Sequence, residues 1–100
     1  MSITLQGRKV ATAAELERPG DFCFWHVSPD GQFAYMAFIC PCGAAHTPKH
    51  DSIPVKQGEK QEHSWAWDGN HDQPTLSPSI HRTGDCGWHG YLRNGVWSTA

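Results

Sequence analysis

Two cysteine knots constrain this chain more than any other feature. "CPCG" occupies Cys40–Gly43 and "CGWH" occupies Cys86–His89, so three of the four cysteines sit in two tight clusters far apart in sequence. A disulfide, a bound metal or a redox cluster would each join those distant segments. With 100 residues the chain makes one domain, because two half-size cores would each bury too little apolar surface to stand alone. A domain of this size often needs such a staple.

The redox setting narrows the choice. The opening stretch "MSITLQGRKVATAAELERPG" holds no apolar run long enough for a signal peptide or a membrane span. The expectation is therefore a cytoplasmic protein without membrane association, in a reducing compartment where clustered cysteines read as ligands or reactive groups. Net charge is -2, and the eight basic residues are scattered without a run or stripe. A phosphate-backbone binder carries a basic footprint, so a nucleic-acid partner is disfavoured and a protein partner is expected.

The pattern is that of a β protein. Residues Ile3–Ala11 read as a first strand or an arm, and "TAAELERPG" at Thr12–Gly20 as a brief helical turn with Thr12 as its cap. From Asp21 the apolar residues alternate with period two. "SPDG" at Ser28–Gly31 is a turn, and "QFAYMAFIC" runs back as a second strand, giving a hairpin over Asp21–Cys40. "SIPVK" reads as a short edge strand, "EHSWAWDG" as a strand ending in a turn, and "PTLSPSI" as an extended edge segment. "WHGYLRNGVW" folds about Asn94–Gly95, a strong two-residue hairpin signal. The expected fold is a mainly β, single-domain antiparallel sheet or sandwich of hairpins with one metal site. Residues 1–19 form its arm and short turn, and residues 20–97 the metal-stabilised β domain. Most of the five tryptophans belong to its core.

Cys40, Cys42, Cys86 and His89 form a two-plus-two Cys3His set that suits tetrahedral zinc, each turn supplying two ligands. Metal sites of this kind contribute about 10–16 kcal/mol in zinc-finger peptides. Two other sets compete. Cys40, Cys42, His46 and His50 make a local Cys2His2 group, although Pro48 breaks the helix that would align the two histidines. A two-iron, two-sulfur cluster also uses paired turns on a β scaffold, although a Rieske pattern needs C-x-H where Cys40-Pro41-Cys42 stands. Cys23, alone beside Trp25, reads as a buried small residue, and His26, His63, His71 and His81 as isolated polar residues. Three thiolates and an imidazole fill a zinc shell, leaving no open position for catalysis. There is no H-E-x-x-H, G-x-S-x-G or P-loop motif.

"GDFCFWHV", "CPCG", "PTLSPSI" and "CGWHGYLRNGVW" together resemble an uncharacterised family of small proteins of phages, prophages and bacteria. The resemblance spans about Gly20 to Trp97 with the motifs in family order. It implies a β-rich domain with zinc ligands at Cys40, Cys42, Cys86 and His89. Some members carry the label ammonia monooxygenase, a membrane oxidation that needs spans this sequence lacks. The functional expectation is a zinc-stabilised binding or accessory module without catalytic chemistry. The alternative is an iron–sulfur electron-transfer or redox-sensing protein.

Overall fold

Period-two alternation resolves into short strands in the computed structural model, which describes residues 4–43, 50–58, 63–81 and 86–100. In chain order these are β1 (Thr4–Gln6), β2 (Arg8–Lys9), β3 (Asp21–Trp25), β4 (Phe33–Phe38) and β5 (Asp51–Gln57). They continue with β6 (Trp65–Trp67), β7 (Leu76–Ser77), β8 (Ile80–His81), β9 (His89–Arg93) and β10 (Val96–Thr99). The mainly β expectation holds. The strands build a four-stranded sheet, β1-β10-β9-β8, and a six-stranded sheet, β2-β3-β4-β5-β6-β7. Among the described residues no helix is long and apolar enough to cross a membrane.

The hairpin over Asp21–Cys40 forms as its sequence dictates, with Phe22 opposite Phe38 and Trp25 opposite Tyr35. The Ser28–Gly31 turn closes through the Gly31 amide, which donates to the Ser28 carbonyl at 2.8 Å. Asn94 (φ 51°) and Gly95 (φ 76°) make the left-handed turn that joins β9 to β10. "PTLSPSI" divides into β7 and β8, each an edge strand of its own sheet.

Three local expectations change. "SIPVK" lies within β5, inside the six-stranded sheet, rather than at its edge. Pro54 is tolerated there because the ladder to β6 begins only at Val55, opposite Trp65. The β2–β3 and β5–β6 pairings are parallel, within an otherwise antiparallel domain. The helical turn is a 3-10 turn over Ala13–Glu15 to which the Thr12 side chain contributes no cap. Glu15 instead reaches back, its Oε2 accepting from the Ala11 amide at 3.1 Å.

The two sheets share one core. Phe22, Met36, Phe38 and Val55 from the larger sheet meet Ile80, Leu92 and Trp97 from the smaller. Trp97 sits at the centre, fully buried, with Phe38 at 5.1 Å and Trp88 at 6.0 Å between ring centroids. Its indole N–H donates to the Gly20 carbonyl at 2.9 Å. A second, smaller cluster of Val10, Leu16, Cys23, Ala37 and Ile39 packs the N-terminal segment onto the outer face of the β3–β4 hairpin.

The Asp21 carboxylate is buried and ties that segment down. Arg8 donates to it through Nε at 2.9 Å and Nη2 at 2.6 Å, and the Glu17 and Arg18 amides at 3.0 and 2.8 Å. Burial pushes the Asp21 carboxyl up, but Arg8 and the two amides outweigh it and hold it below the ordinary carboxylate range.

Two outcomes follow from the core and this ion pair. Trp97→Ala should cost about 3–5 kcal/mol in urea unfolding, from the lost side chain and its hydrogen bond to the Gly20 carbonyl. Asp21 has a depressed folded pKa, so its contribution is complete above the unfolded value of about 3.9 and is lost as pH falls through the folded value. Denaturation midpoints followed from about pH 5 to about pH 2 should therefore fall, and fall less steeply in Arg8→Met.

Candidate functional site

The register of β8 against β9 decides which side chains meet. Ile80 pairs with Gly90, and His81 with His89. Alternation then sends Ile80 and Leu92 into the core and His81, His89, Tyr91 and Arg93 to the outer face. Ser79 precedes β8 by one residue and joins that outer face, diagonally across from His89. Its Oγ lies 2.7 Å from His89 Nε2, within the range for proton transfer between a hydroxyl and a base.

The surroundings hold this pair in place. The Ser79 carbonyl accepts from the Trp65 indole N–H at 3.3 Å, so β6 fixes the backbone that carries the hydroxyl. The His81 ring packs against His89 with centroids 4.9 Å apart and the two planes tilted by 34°. Ser79 is half-buried and both histidines are exposed, so a substrate can reach them.

A groove of about 490 Å³ opens beside Ser79, lined by Thr75–Ser79, Tyr91 and Arg93. The Arg93 guanidinium lies 4.1 Å above the Tyr91 ring. A second hollow of about 570 Å³, bounded by Leu5–Arg8, Arg18, Pro19 and Asp21, surrounds the structural ion pair and contains no nucleophile paired with a base.

The cysteine knots also meet. The sulfurs of Cys40, Cys42 and Cys86 all lie within 4.8 Å of one another, and those of Cys40 and Cys86 are 3.4 Å apart without a covalent bond. Tetrahedral thiolate–zinc bonds of about 2.3 Å place sulfurs roughly 3.8 Å apart, so the donor set fits a thiophilic metal. Cys40 is buried at the end of the β4 path, Cys42 half-buried and Cys86 exposed. Burial, above all, pushes the Cys40 thiol up to about 12, with the neighbouring thiols adding to the shift. A thiol in such a place becomes a thiolate when a cation replaces its proton.

Of the four ligands expected from sequence, the structure draws Cys40, Cys42 and Cys86 together and turns His89 Nε2 toward Ser79. His46 falls outside the described residues, and His50 is not among the converging donors. Cys23 lies in the separate N-terminal cluster. Sequence reasoning missed Ser79. No nucleophile motif marks it, and the available signal was a serine at the end of the "PTLSPSI" segment; only the β8–β9 register brings it to a histidine.

A family model described as BubE, a bacterial ubiquitination-like system serine protease, matches residues 9–100, and the chain belongs to that family. No curated protein and no solved structure matches it. The family overturns the expectation of a non-catalytic zinc-stabilised module, and with it the electron-transfer alternative. The resemblance to a small bacterial domain family stands at that coarse level, with a protease in place of the uncharacterised function.

Proposed function

We propose that this chain is a serine peptidase in which Ser79 is the nucleophile and His89 the general base. The observation that carries the reading is the 2.7 Å contact between Ser79 Oγ and His89 Nε2, in a chain whose family is described as a serine protease. Ser79 Oγ attacks the carbonyl carbon of the scissile bond as His89 Nε2 takes the hydroxyl proton. His89 then gives that proton to the departing amine, leaving an acyl group on Ser79. Water, deprotonated by the same nitrogen, releases the acyl group as a carboxylic acid and restores the hydroxyl. The tilted contact with His81 and the bond from Trp65 to the Ser79 carbonyl position the two reacting side chains. The substrate is a polypeptide of the ubiquitination-like system that the family description names.

Cys40, Cys42 and Cys86 would hold a zinc ion as a structural crosslink. When bound, the ion joins three thiolates and so ties the segment after β4 to the segment before β9. Cys86 stands three residues before His89, so this tie fixes the approach to the catalytic strand. Trp88, between them, is buried in the shared core and covers Gly90 so closely that a Cβ there would collide with its ring and with the Ser98 carbonyl.

A fluorophosphonate probe tests the catalytic assignment. The wild-type protein should be labelled at Ser79 and Ser79→Ala should not be, while His89→Gln should label at least about a thousandfold more slowly. Labelling that persists in Ser79→Ala would overturn it. For the metal, the purified protein should contain zinc, and Cys86→Ser should lose both the zinc and a cooperative melting transition. A metal-free wild-type protein with an unchanged transition would remove zinc from the account.

A further inference from the structure

The groove that starts at Ser79 ends at a cation with no counter-ion among the described residues. The ion pairs there are Arg8–Asp21 and Lys9–Asp72, and neither involves Arg93. Its guanidinium lies over the Tyr91 ring, on the same outer face of β9 as His89. Arg93 is four positions beyond His89, and Tyr91 lies between them on that face. Strand residues advance about 3.3 Å each, and the arginine folds over Tyr91. Its charge therefore falls about one or two substrate residues from the reacting carbonyl. The rest of the lining is Thr75–Ser79, which brings hydroxyls and the Pro78 ring but no competing carboxylate.

We propose that Arg93, seated on Tyr91, is a specificity residue that binds a carboxylate of the polypeptide substrate beside the scissile bond. This rests on Ser79 and His89 being the reacting pair. A guanidinium matches a carboxylate with two parallel hydrogen bonds, and the aromatic ring below leaves its N–H edges free to make them. In a chain of net charge -2, a local cation beside the nucleophile also favours the approach of an acidic segment to this groove. The carboxylate has two sources, the substrate's C-terminus or an Asp or Glu side chain. They correspond to removal of terminal residues and to internal cleavage next to an acidic residue.

The test measures binding to Ser79→Ala, which turns nothing over, with three acetylated hexapeptides of one Ala/Gly/Leu sequence. One ends in a free carboxylate, one in an amide, and one in an amide with a single Leu replaced by Glu. At low salt, one of the two acidic peptides should bind about tenfold more tightly than the neutral amide and shift the Arg93 Nε–H resonance. Whichever does so identifies the source of the carboxylate. In Ser79→Ala/Arg93→Gln the preference should vanish with the melting temperature unchanged, and in Ser79→Ala/Arg93→Lys part of it should remain. Equal binding of all three peptides, or a preference that survives Arg93→Gln, would overturn the proposal. Fluorophosphonate labelling of the wild-type chain separates the two readings. Labelling of Ser79 without discrimination removes Arg93 alone, whereas discrimination without labelling keeps the carboxylate site and removes the peptidase.

Discussion

The pairing of β9 with β8 on one side and β10 on the other is the constraint on which the site depends. Because side chains alternate along a strand, one register fixes two faces at once. Ile80 opposite Gly90, and Leu92 opposite Trp97, close the core. The same pairing delivers His81, His89, Tyr91 and Arg93 to the outside, with Ser79 diagonal to His89. A slip of one residue would bury His89 and expose Leu92, which sits fully buried against Trp97. The core thus sets the face on which Ser79 and His89 meet. Gly90 tightens the register further, since Trp88 packs where any side chain at that position would stand.

A strand edge is an economical place for the proposed chemistry in a small domain. β7 and β8 are edge strands of different sheets, and Ser79 lies in the short link between them. The link leaves a groove open to an extended peptide without a large insertion or a second domain. Its cost is that two-residue strands hold position weakly, so the backbone needs fixing from elsewhere. Trp65 supplies one such fixture through the Ser79 carbonyl. The thiol centre, three residues before His89, lies where it could supply another.

Much of the fold was legible in the sequence because it follows from local rules. The Asp21–Cys40 hairpin, the Asn94–Gly95 turn and the edge character of "PTLSPSI" all rest on alternation and turn chemistry within a few residues. The convergence of Cys40, Cys42 and Cys86 was also legible, since two chelating pairs gain by meeting. What escaped was non-local. The central position of β5 and its parallel partner β6 depend on strands that no short pattern names. Ser79 and His89 stand ten positions apart, and no spacing rule pairs a serine with a histidine across two strands.

At His89 the sequence pattern and the strand geometry point to different partners. A C-x2-H spacing suits a metal knuckle, and in an isolated turn it reads as two ligands. Here Cys86 lies outside regular structure while His89 is already the first residue of β9. Strand geometry commits the imidazole to the outer face, where its Nε2 meets Ser79 Oγ. The two halves of "CGWH" therefore do different work. Cys86 meets thiols from the segment that follows β4, Trp88 turns inward to the shared core, and His89 emerges on the outer face. Within four residues the chain thus passes from the exposed thiol of Cys86, through Trp88 in the core, to His89 on the outer face, so one buried side chain anchors the stretch that carries both polar groups.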